Sequence, residues 1–361
     1  MMRSYRIGFL CGSLFLITVA AQDEPPELTA TVAFNVGSRS GRVERLVVTI
    51  GDGGSGPYKA VLMGDPALPT HAIYRPRDLR PFGEKNSLPI VAFGNGGCRN
   101  TSGEFRNFLS DIASQGFLVV AIGPAGNAVV MGSEERTNMS AASQLLDGVS
   151  WAIAEDARAG SAYYQKIDAS KVAVMGQSCG AQQAIEVSAD PRVVTTIALN
   201  QGINIGPRPA GLAPGAGAGP GRAGAAPVRD ARYAPHAPVL VRAPDDTVGR
   251  GQVAQNRREQ LANLHAPILF ITGGANDSGH PSAKANFEAI DNVPAVHAYQ
   301  EIGHYPATYR QPNGGAFAQA AGAWLKWQLK GDSTAKKVFV GTACGLCSDP
   351  KWTVERKKLD Q

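Results

Sequence analysis

Short, unbroken apolar runs recur from residue 90 onward, at residues 90–93, 117–122, 172–175, 193–199, 268–272 and 295–299. They are rich in β-branched residues and bounded by Gly, Pro, Asn and Asp, which predicts strands. Their continuity, in place of strict alternation, predicts that both faces of a largely parallel sheet are covered. Between them the period changes. Phe105, Phe108, Leu109 and Ile112 follow helical spacing, Leu146, Val149 and Ile153 mark a second stripe, and residues 252–264 and 316–329 supply two more, the last carrying Trp324 and Leu325. Strands alternating with amphipathic helices predict an α/β fold. Two earlier runs, 43–50 and 72–74, have no helical pattern between them and predict an antiparallel edge, giving a mostly parallel sheet of about eight strands flanked by helices.

The two ends and one internal stretch depart from this pattern. Arg3 and Arg6 precede an apolar run of about 15 residues ending at Ala21, with Val19 and Ala21 as small residues before a polar segment that starts at Gln22. This is the pattern of a cleaved signal peptide over 1–21, and the run is shorter than the roughly 20 residues of a spanning helix. The expectation is export, to a secreted or periplasmic location, without stable membrane insertion. Residues 22–42 form an N-terminal extension, 43–330 the α/β domain and 331–361 a C-terminal extension with a C-x-x-C pair. From 206 to 227 nearly every residue is Gly, Ala or Pro, broken by Arg208, Leu212 and Arg222. With no apolar face to bury, this insert reads as a surface loop, or as a lid, since it follows the carboxyl end of a strand where open α/β sheets bind ligands.

Composition narrows the function classes. The 361 residues carry a formal charge of +5, and removing Arg3 and Arg6 with the leader leaves +3. Apart from Lys357-Lys358 no basic run stands out, so a nucleic-acid partner is not expected. Cys11 falls in the leader; Cys98, Cys179, Cys344 and Cys347 remain, an even number that permits three pairings in an oxidising compartment.

The chemistry concentrates after three of the strands. Gly176-Gln177-Ser178-Cys179-Gly180 is a G-x-S-x-G pentapeptide with an apolar strand entering and a small-residue helical pattern leaving. A turn that sharp needs glycines at its flanks and thrusts the serine out at the sheet edge. A serine hydroxyl needs a base to take its proton and a carboxylate to orient that base, in the chain order Ser, acid, His on this kind of sheet. Of six histidines, His71 precedes the serine, His236 lies in the irregular stretch after the insert, His265 opens a strand and His297 sits inside one. His280 is too near the acid to share its task. His304, in Gly303-His304 between a strand and the final helix, is the expected base. Asp277 follows the strand at 268–272 and is the expected acid, whereas Asp291 reads as a solvated helix end. Backbone donors for a developing oxyanion are expected from the N–H of Cys179 and from the loop Gly94-Asn95-Gly96-Gly97-Cys98, with Gly97 the chosen donor.

Taken together, the strand pattern, the Gly-Asn-Gly-Gly loop, the serine pentapeptide, Gly274-Ala275-Asn276-Asp277 and Gly303-His304 resemble the α/β-hydrolase superfamily, over roughly residues 43–329. Its exported dienelactone-hydrolase-like, cutinase-like and polyesterase-like branches are the most similar. The resemblance implies hydrolysis of a small-molecule or polymeric carboxylic ester through an acyl-enzyme, with no metal or organic cofactor. Two positions depart from it: Asn95 stands where many relatives have His, and Ser178 where dienelactone hydrolases proper have Cys, which argues against a dienelactone substrate. If Gly97 and Cys179 serve one oxyanion, their neighbours come close, and the implied pairing is Cys98–Cys179, leaving Cys344–Cys347 to close a small local loop. The latter pair lacks the further ligands of a zinc site and does not open a helix as a redox pair would.

Peptidase or acyltransferase chemistry would use the same three side chains, and a non-catalytic binding protein could be built on the same fold but would be expected to lack one of them. A wall-bound structural protein would be expected to carry an appended binding module, and none is evident in the sequence. Tyr305, beside His304, could line a pocket, whereas Trp151 reads equally as core. Asn100-Thr101-Ser102 and Asn138-Met139-Ser140 are glycosylation sequons in a eukaryotic host.

Overall fold

The computed structural model describes residues 31–37, 43–49, 53–125, 139–206, 257–305 and 307–359. The leader, residues 207–227 of the insert, His236 and Asn138 lie outside the described residues. Among the described residues there are eleven strands: β1 Thr31–Gly37, β2 Val43–Thr49, β3 Ala60–Met63, β4 His71–Pro76, β5 Leu88–Gly94, β6 Leu118–Ile122, β7 Ile167–Gln177, β8 Val193–Leu199, β9 Ile268–Thr272, β10 Ala295–Tyr299 and β11 Thr353–Lys357. Five helices of two turns or more accompany them among the described residues: α1 Arg106–Ser114, α2 Ser143–Ala157, α3 Cys179–Val187, α4 His280–Ala289 and α5 Gly315–Lys330. Residues 257–262 are also helical.

Nine strands form one sheet in the order β11-β10-β9-β8-β7-β5-β6-β4-β3. The strands from β6 to β10 run parallel, while β3 and β4 at one edge and β11 at the other are antiparallel. The expected antiparallel edge exists with a different partner. β4 pairs with β3, whereas β2 pairs only with β1, in a separate two-stranded ribbon. Sequence patterning missed β1, β3, which is only four residues long, and β11, a mostly polar edge strand none of whose residues is fully buried. β11 makes the C-terminal extension part of the sheet and covers β10, so His297 lies inside a strand with neighbours on both sides.

The continuous apolar runs are explained by two covering layers. Val91 and Phe93 of β5, Val119 of β6 and Ala173 and Met175 of β7 pack with Phe108 and Ile112 of α1 and Trp324 and Leu325 of α5. The alternate positions, Ile90, Ala92, Val120, Val172 and Val174, face Leu145, Val149 and Ala152 of α2. The buried stripe of α2 is thus centred one residue before the expected one, with Leu146 and Ile153 at its margin, and Trp151 is buried in this layer. A third group joins Ile268 and Phe270 of β9 to Ile185 of α3 and Phe287 of α4. With both faces sealed, the polar chemistry is left to the loops at the carboxyl ends of the parallel strands. Among the described residues, no helix is long and apolar enough to cross a membrane.

Candidate active site

Three loops, after β7, β9 and β10, meet at one end of the sheet. The first is the turn from β7 into α3. Ser178 has φ 54° and ψ −116°, a region L residues rarely occupy, and its N–H is anchored to the Leu199 carbonyl of β8 at 2.8 Å. The flanking glycines make the turn possible: a Cβ on Gly176 would overlap the Gly180 carbonyl, and one on Gly180 would overlap the carbonyl of Gly94. Gly180 therefore also sets how closely the loop after β5 approaches the start of α3.

The other two loops are pressed together in the same way. Gly273, just after β9, has no room for a Cβ against the Gly303 carbonyl, and Gly279 none against the Asn200 carbonyl. This clasp brings Asp277 and His304 into register. His304 Nδ1 lies 2.5 Å from Asp277 Oδ1, and Nε2 lies 3.0 Å from Ser178 Oγ. Asp277 is buried at 1% exposure. Burial alone would raise its pKa. Hydrogen bonds from His304, the Gly273 N–H, the Asn200 amide and the Gly279 N–H outweigh that, and its carboxyl is held below the usual carboxylate value. An ionised carboxylate only accepts, so the proton of neutral His304 belongs on Nδ1 and the Nε2 lone pair faces Ser178. The three residues expected from the sequence thus form one hydrogen-bonded chain, half-buried at Ser178 and closed at Asp277.

The loop after β5 lies against the start of α3, as expected. Cys98 and Cys179 form a disulfide with Cα atoms 5.2 Å apart. Gly97 is exposed, with φ 64°, where glycine is at ease. Cys179 opens α3, so its N–H has no acceptor within the helix. Asn95, buried at 1%, donates to the carbonyls of Arg99 at 2.9 Å and Ile122 at 2.7 Å, and so pins this loop to the end of β6. From the other side, the Gln183 amide of α3 donates to the Ser140 carbonyl at 2.8 Å, and the Ser140 N–H donates to the Cys98 carbonyl at 2.7 Å. The second disulfide, Cys344–Cys347, closes a local turn after α5. Among the described residues, no group of three or more His, Cys, Asp and Glu is placed to hold a metal ion.

Several further residues shape the site, of which the sequence reading names only Tyr305, as a candidate pocket lining. Gln177, fully buried, donates to the His304 carbonyl at 3.1 Å and so holds the His304 loop to the serine turn. Arg99 forms a bidentate pair with Glu104 and donates to the Tyr305 hydroxyl at 3.3 Å. Tyr305 is 44% exposed and meets the His304 ring edge to face at 5.3 Å. Burial of its hydroxyl end raises its pKa in spite of Arg99. Behind the acid, Asn200 donates to Asp277 Oδ2 at 2.7 Å and accepts from the Tyr309 hydroxyl at 2.6 Å. A polar residue directly after an apolar strand was the only sequence cue for Asn200. Of the other histidines, His71, His265, His280 and His297 bond elsewhere, and His236 is outside the described residues.

Comparison with protein-family models finds no match, and comparison with curated proteins finds none either. The functional reading therefore rests on the site itself.

Proposed function

We propose that the protein is an exported serine hydrolase of the α/β-hydrolase fold that cleaves carboxylic esters. The observation that carries this reading is the continuous Ser178–His304–Asp277 hydrogen-bond chain, with Ser178 held at positive φ on a strand-to-helix turn. The strand order, with β6 and β5 exchanged relative to the sequence and antiparallel strands at the edge, supports the fold assignment. Export rests on the N-terminal sequence, and the two disulfides agree with it.

In this reading Ser178 Oγ attacks the ester carbonyl while His304 Nε2 takes its proton. Asp277 holds the Nδ1–H and stabilises the imidazolium that forms. Negative charge on the carbonyl oxygen is met by the N–H groups of Cys179 and Gly97, at the amino end of α3 where the helix dipole also favours an anion. His304 returns the proton to the departing alcohol, leaving an acyl group on Ser178. Water, deprotonated by the same imidazole, then releases the acid. The reaction calls on no metal or organic cofactor.

The test is hydrolysis of a p-nitrophenyl ester series by the protein and by Ser178→Ala, beside labelling of Ser178 with a fluorophosphonate. Turnover and labelling that both vanish in the variant are the expected result. Absence of both in the unaltered protein would overturn the reading and favour a binding protein on this fold.

A further inference from the structure

Behind Asp277 lies a second buried chain that the hydrolytic mechanism does not use. Asn200 follows β8 directly, is fully buried, and has φ 55°. Its backbone N–H is tied to the Ile271 carbonyl at 2.8 Å, so the side chain is presented to the acid from a fixed base. Tyr309 sits on the short helical turn Ala307–Arg310, 3% exposed, with its ring edge-on to Phe105, Phe108 and Phe317.

The donor and acceptor roles along this chain follow from chemistry. A carboxylate only accepts, so the Asn200 NH2 must face Asp277. The amide oxygen then faces Tyr309, whose hydroxyl must donate. The reversed amide would set oxygen against oxygen at Asp277. An O–H donated to the amide oxygen polarises the amide and strengthens its N–H as a donor. We infer that Asn200 and Tyr309 are positioning residues that spread the charge of Asp277 and thereby set how firmly it holds the protonated form of His304. This rests on the serine-hydrolase reading of the site.

The direction of the effect is fixed. An Asp277 that loses its Asn200 donor concentrates more negative charge on the oxygen facing His304, and the imidazolium is held more tightly. The base then becomes available only at higher pH. Among the described residues, the other charged and titratable groups around the pair are Tyr305, the Arg99–Glu104 pair, Glu301 beside Gly274, His280 after the acid loop and Arg310 near Tyr305. All are retained in the variants below.

The experiment is the rate of Ser178 labelling by a fluorophosphonate between pH 4.5 and 9, which needs the nucleophile and base but no knowledge of the substrate. Asn200→Gly keeps the positive φ and removes the amide; Tyr309→Phe keeps the packed ring and removes only the hydroxyl. The acidic limb is expected to move up by about 0.5–1 pH unit in Asn200→Gly and by a smaller amount, in the same direction, in Tyr309→Phe. Phe105→Leu, which loosens the same packing without touching the polar chain, is expected to lower Tm and leave the limb in place. Limbs that coincide in all labelled variants would overturn the inference and leave the hydrolase reading standing. An unaltered protein that is not labelled would overturn both.

Discussion

Cys98 is bonded to Cys179, so the residue following Ser178 is covalently tied to the loop that ends β5, with the two Cα atoms 5.2 Å apart. The bond spans 81 residues of sequence and joins the two segments proposed to supply oxyanion donors. Its removal therefore acts on stability and on chemistry together. In Cys98→Ser/Cys179→Ser, unfolding free energy is expected to fall by about 2–4 kcal/mol. Ester turnover is expected to fall roughly tenfold to a hundredfold, mainly in kcat, because the donors matter most once charge has developed. Denaturant melts beside steady-state kinetics check this. A variant with unchanged kcat would mean that the loop is held by Asn95 and Gln183 alone.

The three side chains of the chain to Asp277 should fail unequally. In the proposed mechanism Ser178→Ala and His304→Ala each remove a reacting atom, and a loss of about 10⁵–10⁶ in kcat is expected. Asp277→Asn retains the shape but presents an amide to His304, which favours the wrong tautomer, and a loss of about 10⁴ is expected. Folded protein, verified by circular dichroism, with near-normal kcat in Asp277→Asn would remove Asp277 from the mechanism.

Two glycines of the site are expected to respond differently to alanine. A Cβ on Gly180 runs into the carbonyl of Gly94, so α3 and the loop after β5 must separate. Displacement on the scale of an ångström there should cost about a hundredfold in turnover. At Gly97 the nearest atoms are the Arg99 side chain at 3.5 Å, so an alanine fits. Its cost is the left-handed backbone at φ 64°, about 1–2 kcal/mol, and the N–H is retained. Turnover in Gly97→Ala is expected to stay within tenfold. Equal losses in the two variants would contradict the close contact between Gly94 and Gly180.

What could be read from the sequence follows from what local patterns encode. β8, β9 and β10 were predicted to the residue because they are mostly apolar runs covered on both faces, with Thr195, Thr196 and His297 as buried polar exceptions. β3 was missed because four apolar residues are too few to show a period, and β11 because the mostly polar run Thr-Val-Glu-Arg-Lys reads like an ordinary loop. The pairing of β2 with β1 rather than β4 was not legible, since strand partners are chosen by chain geometry beyond the run itself. At the site, the grouping of Ser178, Asp277 and His304 was legible because each follows a strand in a constrained order. Asn200, Gln177 and Tyr309 were not, because a buried amide or hydroxyl acts through neighbours that are distant in sequence, such as Asn200 and Tyr309 at a separation of 109.

Two buried histidines should make the protein lose stability in mild acid. His71 is 1% exposed and bonded to the Gln144 carbonyl, and burial lowers its pKa from 6.5 to about 4. His297 is fully buried between Thr272 and Glu355, and burial lowers it likewise to about 4 in spite of the carboxylate. In the unfolded chain both take up a proton near pH 6.5, whereas in the folded protein they do so only near pH 4. Between those values the unfolded state binds more protons, so stability is complete above about pH 6.5 and declines as pH falls toward 4. Each group can contribute up to roughly 3 kcal/mol over that window. The depressed carboxyl of Asp277 adds a loss of the same sign below it, as pH falls from the unfolded value of 3.8 through its lower folded one. Urea midpoints at pH 7.5, 5.5 and 4.5 are expected to fall in that order, and His71→Gln/His297→Gln should flatten the curve between 6.5 and 4. An unaltered protein with equal midpoints at pH 7.5 and 4.5 would mean that both imidazoles protonate in place, with Glu355 and the Gln144 carbonyl sufficient to hold them charged.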